Sequence, residues 1–498
     1  IFCNFQLMKK QFIAFAIILL FLSSCGDKGT DNNNSNNDAS GILITFPLED
    51  SSLMDTVLIR CDSINELEYN KISLWVNGDS ITETKIQPFI LPWITTNFEN
   101  TSHSLLVRAY DNSGNQTESN PLIVNVNNFL VFSNTYGEEN IHEEGLSIIQ
   151  TNDSSFIILG NTAEDLLLLK TDRFGNKLWS QYFGGSQVDV IRYLSQTIDG
   201  GFLLSGSSES YGPGESDIWV IKSYPSGLIE WNKNYGTSNN EYGGKALENT
   251  DGSLFLIGNG DISNTGDQDI WLIKTNSQGD SLWSKTYGGI GDETGHDIIS
   301  LGDSSYIILG STSSYGNGGA DILLMKIDTE GAEEWSLNYG GTSDEYGQSI
   351  IETSDNGFVI LSSIEPYGDG NNAVNVLRIN SSGEIIWEKT FGGGDGVKGS
   401  NMIQRTEDDN FILTYNSFDH LKNGYNTWVI KINDSGFIEW GRKFSNDDSD
   451  FGYSCVSTLD GGYAITGSTF NLGNGNKDFG DLWLLKTDEK GVAALPSN

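Results

Sequence analysis

Five acidic side chains recur at one point of a repeat: Asp189, Glu241, Glu293, Glu345 and Asp450 each stand ten residues after a tryptophan. Carboxylates converging from several strands could take a hard cation such as Ca²⁺, which prefers oxygen ligands. A pair of them could divide the acid and base work of glycoside hydrolysis. Either use needs the acids gathered at an open mouth. Repetition favours a plainer role, because an acid in every unit needs no ligand and serves as a solvated rim position copied with the repeat. Val397 interrupts the series, with Asp395 nearby, and His142-Glu143-Glu144 fills the place in the first unit.

Other chemistry is sparse. His103, His142, His296 and His420 are the four histidines, and none belongs to an HExxH or similarly spaced metal motif. The glycine-rich "GGGDGVKGS" (392–400) has no Gly directly before a Lys-Ser pair, so it is no phosphate loop, and no sialidase-type Asp box occurs. Cys3, Cys25, Cys61 and Cys455 give neither a CxxC metal site nor a disulfide framework. No cofactor is identified beyond Ca²⁺ as a candidate for the acidic rim. The balance is against catalysis. The alternative is a polysaccharide hydrolase or lyase working through Glu241, Glu293 and Glu345.

What positions these acids is a period. Trp179, Trp231, Trp283, Trp335, Trp387 and Trp440 follow one another at intervals of 52 or 53 residues. Nine residues before each stands a cation: Lys170, Lys222, Lys274, Lys326, Arg378 and Lys431, with a seventh copy at Lys486. Seven Asp residues (153, 199, 251, 303, 355, 408 and 460) mark a turn between two strand-like runs. One unit reads "GHDIISL" (295–301), "SYIILGS" (305–311), "DILLMKID" (321–328) and "EEWSLNY" (333–339). Four antiparallel strands per unit of about 50 residues predict the blades of a β-propeller.

The array opens with a lone outer-strand copy, "FLVFSNTYG" (129–137), in which Phe132 takes the Trp place. It closes with a unit lacking one. That offset predicts seven blades over residues 129–493, with 129–137 completing the last and leaving no free edge. The first strand after each "YGG" should then line the central channel, and the tryptophans should pack between blades. The spacing "D-x-x-G-x-x-x-W" (Asp172 to Trp179) resembles the docking motif of quinoprotein-like propellers, where an indole of one blade packs on the next. Blade length and the "YGG" turn depart from that family, so the resemblance implies the packing role alone.

Residues 41–128 alternate short β runs with turns, as a small β-sandwich would. "ISLWVNGDSI" (72–81) and "VRAYDNSGN" (107–115) resemble the hairpins of bacterial Ig-like domains, which implies a spacer or docking module. Trp75 and Trp93 are expected in its core. The expected fold class is therefore all-β: an Ig-like sandwich followed by a seven-bladed propeller.

The N-terminal segment carries an address. Met8, the expected start, and Lys9-Lys10 precede the apolar run Phe12–Leu22, too short to span a bilayer but suited to a signal peptide. "LSSC" (22–25) resembles the lipobox of bacterial lipoproteins, which implies that residues 1–25 are a lipoprotein signal segment cleaved before Cys25, whose acyl chains then enter the lipid bilayer. Residues 26–40 read as a flexible tether and 494–498 as a tail. With 67 acidic against 28 basic side chains, the net charge of −39 argues against nucleic-acid binding. The expectation is a lipid-anchored envelope protein at the outer membrane or cell surface of a Gram-negative bacterium. Its propeller would bind a glycan, a peptide or another envelope protein, or serve as a scaffold in outer-membrane assembly. Oligomeric state is not legible in the sequence.

Overall fold

A computed structural model describes residues 41–493, apart from 55, 64–67, 99–100, 127–129, 139–140, 163–164, 368–370, 393–396, 399–401, 407, 421–422, 445–448 and 471–478. The signal segment, Cys25, the tether and the tail lie outside the described residues. The chain forms two compact units divided between Asn127 and Asn128. Among the described residues there is one 3-10 turn, Thr95–Asn97, and no helix long and apolar enough to cross a membrane.

The first unit is two sheets. Ile42–Phe46, Thr56–Ser63 and Ile90–Ile94 form one. The other is built from Ser52–Leu53, Leu122–Val126, Ser102–Tyr110, Lys71–Val76 and Asp79–Thr84, with Gln116–Glu118 also paired to Ser102–Tyr110. Alternating side chains meet in one core that includes Ile42, Ile59, Leu74, Leu91 and Val107. Trp93 is fully buried there, edge-on to Phe98 at 5.3 Å. Trp75 differs from expectation: it is half-buried, with the Arg108 guanidinium 3.7 Å over its ring. Asn77 (φ 52°) and Gly78 (φ 95°) make the tight turn between two strands.

The second unit is a closed ring of seven antiparallel sheets, numbered here as blades one to seven along the chain. In blade four the strands are Glu293–Ser300, Tyr306–Thr312, Asp321–Ile327 and Glu333–Tyr339, paired in sequence order. The middle strands are buried on both faces, because each blade is covered by a neighbour on either side. The first strands of successive blades pack against one another all the way round, including Glu144–Gln150 of blade one against Asp450–Ser457 of blade seven. They are therefore innermost. The fourth strands are largely exposed and form the outer wall. In blade six the inner strand is split into Val397–Lys398 and Ile403–Arg405, both paired to Phe411–Asp419.

Closure uses the N-terminal strand of this unit. Phe132–Tyr136 pairs antiparallel with Asp481–Thr487, with Phe132 opposite Lys486 and Tyr136 opposite Leu482. Trp483 Nε1 donates to Ser133 Oγ at 2.8 Å, and Leu130 N donates to Asp460 Oδ2 at 3.1 Å. Across the blade seven to blade one junction, Glu143 N donates to Gly480 O at 2.8 Å.

Candidate functional site

The acids of the repeat begin the inner strands, as their spacing predicts, but they are not an open rim. Glu241 and Glu293 have no exposed surface, Asp450 has 1%, and Glu345 and Asp189 have 6% and 8%. In blades two to five the acid at the start of the inner strand turns back onto the link from the preceding blade. The backbone N–H four residues upstream donates to it: Gly185 to Asp189 at 2.9 Å, Thr237 to Glu241 at 2.8 Å, Gly289 to Glu293 at 2.7 Å and Gly341 to Glu345 at 3.0 Å. Hydroxyls complete the shells, with Ser208 on Asp189, Thr237 on Glu241 and Thr312 on Glu293, each at 2.5 Å. A carboxylate that accepts a backbone N–H in this way clamps a turn. Glu143 does the same in blade one, accepting from Glu138 N at 3.0 Å.

At four junctions the clamp faces a second carboxyl group, the Asp that opens the third strand of the preceding blade. A methyl group added at Gly236 would lie 1.6 Å from Asp217 Oδ1 and 2.7 Å from Glu241 Oε2. Asp269 and Glu293 flank Gly288 in the same way, Asp321 and Glu345 flank Gly340, and Asp481 and Glu143 flank Gly137. The glycine of "YG" is thus the one residue small enough to pass between two carboxyl groups. Burial, then the neighbouring Glu241, raises Asp217, and burial, then Glu293, raises Asp269. Glu143 is pushed up to about 7, first by burial and then by Asp481 and Glu138. Among the described residues no group of three or more His, Cys, Asp or Glu could hold a metal ion. The five rim acids sit one to a blade junction and do not converge.

Outside the ring, each outer strand reaches over the glycine turn between the third and fourth strands of the next blade. Trp179 packs on Gly227, Trp231 on Gly279, Trp283 on Gly331, Trp387 on Gly436 and Trp440 on Gly491. Phe132 occupies the equivalent place over Gly175, whereas Leu337 and Tyr339 come nearest to Gly383. Trp231 Nε1 donates to Ser277 O at 3.2 Å and Trp387 Nε1 to Asp434 O at 2.8 Å. The tyrosine four residues on holds the same turn: Tyr136, Tyr235, Tyr287 and Tyr339 donate to the carbonyls of Gly175, Gly279, Gly331 and Gly383 at 2.5–2.8 Å. That grip was missed in the sequence, although the recurring "W-x-x-x-Y-G" carried the signal.

In six of the seven blades the cation pairs with the Asp of the turn, Lys431 with Asp408 at 2.5 Å among them. Lys170 pairs with Asp153 at 3.1 Å, Lys222 with Asp199 at 2.9 Å, Lys326 with Asp303 at 3.0 Å, Arg378 with Asp355 at 2.6 Å and Lys486 with Asp460 at 2.9 Å. The Ser305 hydroxyl and Lys326 hold Asp303 down at about 2. Lys274 instead donates to Thr329 O at 2.9 Å in the next blade.

What faces the channel is set by an irregularity that recurs on the inner strands. Pairing with the second strand slips at Gly145/Ser147, Ile191/Tyr193, Gly243/Ala246, Gly295/Asp297, Gly347/Ser349 and Gly452/Ser454. Such a bulge redirects the unpaired side chain. Leu146, Arg192, His296, Gln348 and Tyr453 occupy it, all at least partly accessible.

No protein-family model matches this chain, and no curated protein does. Among solved structures, the extracellular domain of a hybrid two-component system protein from B. thetaiotaomicron is similar at 11% identity and TM-score 0.44, over 78% of this chain. This chain covers 46% of that one, less than half its length. The Dos1 propeller is similar at 12% identity and TM-score 0.42, over 73% of this chain and 96% of its own. BBS1N, solved in complex with ARL6DN, is similar at 10% and 0.42, over 72% and 96%. At these values the likenesses carry no functional argument, and the propeller rests on the strand pairing and closure described above.

Proposed function

We propose that this chain is an envelope lipoprotein, anchored through acylated Cys25, whose propeller is a rigid binding scaffold for a glycan, a peptide or another envelope protein. One observation carries the scaffold reading: Glu241, Glu293 and Glu345, the repeated acids best suited to catalysis, are buried and engaged by the turns they clamp. A hydrolase would need at least two of them accessible to a glycosidic bond. The first unit, with its two packed sheets, suits the Ig-like spacer that its hairpins suggest.

The test is direct. The purified chain is applied to glycan and peptide arrays beside an unrelated protein of similar acidity. Selective binding supports the scaffold, and signal no higher than the control counts against it. Anchoring is read separately, by metabolic labelling with an alkyne fatty acid in cells expressing the chain. The label should be present on the wild type and absent from Cys25→Ser. An unlabelled wild type would sink the lipoprotein assignment.

A further inference from the structure

We propose that Arg192 binds, from the wall of the central channel, the carboxylate of a singly charged organic acid, a reading that deepens the binding-scaffold function. Arg192 lies at the bulge of blade two: Ile191 pairs with Gly206 and Tyr193 with Ser205, which leaves Arg192 without a cross-strand partner. His296 of blade four and Tyr453 of blade seven occupy the same bulge position. Blades four and seven each lie two places from blade two, on opposite sides. The charge of Arg192 nonetheless acts on both His296 and Tyr453. Arg192 is exposed on an innermost strand, so its side chain extends into the channel that those strands line.

Arg192 is exposed and has no ion pair or hydrogen bond among the described residues. The neighbouring cation is already spent: Lys245 pairs with Asp297 at 2.8 Å, and Asp297 also accepts from Ile350 N at 3.0 Å. Around Arg192 stand the rings of Tyr193, His296 and Tyr453, with two carboxylates beside them, Asp297 already paired with Lys245 and Glu144 against Tyr453. His296 is held uncharged, pushed down to about 4 by burial and then by Arg192, and it exchanges a hydrogen bond with Thr294 Oγ1 at 3.1 Å. Tyr193 and Tyr453 are both half-buried, and Tyr453 sits against Glu144.

This is one guanidinium without an ion pair among the described residues, in a protein of net charge −39. A multiply charged anion would meet that field with a single cation to offset it. A carboxylate carries one charge and presents two oxygens that match the guanidinium fork. Aromatic and neutral polar neighbours suit the body of a sugar acid.

The experiment is calorimetric titration of the full chain with D-glucuronate, acetate and sulfate. Saturable glucuronate binding is expected, with acetate weaker and sulfate undetectable. Arg192→Gln should weaken glucuronate at least tenfold with the melting temperature unchanged. Arg192→Lys, which keeps the charge and loses the fork, should fall between. No saturable binding of either carboxylate, equal binding by Arg192→Gln, or tighter binding of sulfate would each overturn the proposal. Array binding that survives in Arg192→Gln while the titration fails would remove the site and leave the scaffold reading standing.

Discussion

Replacing Glu143 by Gln tests the paired carboxyl groups at the junction that closes the ring. In the folded protein Glu143 holds its proton up to about 7, against 4.5 for an unperturbed glutamate. Below pH 4.5 the group is protonated in the folded and unfolded chain alike, and its contribution to stability is fully present. As pH rises, the unfolded chain releases the proton first and the folded protein only near 7, so stability falls with pH across that interval. At about 1.4 kcal/mol per pKa unit the ceiling is roughly 3 kcal/mol, which water penetration and relaxation lower to about 1–2 kcal/mol. Glutamine keeps an oxygen to accept from Glu138 N and offers an amide N–H where the acid has its proton. Thermal unfolding of both proteins from pH 5 to pH 8 reads the difference. The variant should match the wild type at pH 5 and melt about 1–3 °C higher at pH 8. Parallel pH slopes for the two proteins would refute the buried-pair account.

Deleting residues 129–137 should open blade seven along Asp481–Thr487 and cause aggregation or a broad, less cooperative melt, and an unchanged calorimetric transition would refute closure by this strand. Trp283→Ala should cost about 2 kcal/mol in chemical denaturation, below the value for a fully buried Trp because the indole is half-exposed. Gly331→Ala forces a Cβ to 2.7 Å from Trp283 at φ +68°, so it should destabilise alone and cost at least about 1 kcal/mol less when Trp283 is already Ala, as a double-mutant cycle would show. Lys222→Met leaves Asp199, Glu230 and Glu248, all within 3.6 Å of the lost ammonium, facing one another. It should cost about 2 kcal/mol at pH 7 by urea denaturation.

The propeller was legible because a blade cannot bury its faces alone, so its pattern must repeat with the geometry. The 52-residue interval from Trp179 to Trp387 marks the outer strands, and the lone copy at Phe132 marks the closure. Strand limits read from the repeat fall within about two residues of those observed in blade four. The environment of the acids was not legible. Period-two alternation says that Glu241 or Glu293 departs from one face of its strand, but not whether that face meets water or the preceding turn. The glycine between the carboxyl groups held the answer, because its missing side chain leaves the space they fill. Arg192 was overlooked for the opposite reason. Its bulge position is occupied by a different residue type in each blade, so a search for recurrence passes over it.

Closure also sets a schedule for biosynthesis. Ser133 and Trp483, joined by a hydrogen bond, are 350 residues apart along the chain. At about 5–20 residues per second, the first strand of the ring waits roughly 20–70 s for its partner to be made. Throughout that delay Phe132–Tyr136 has no partner strand, and the two ends of the growing stack expose the apolar faces that a neighbouring blade would cover. Those faces must stay apart from other chains until the last blade arrives.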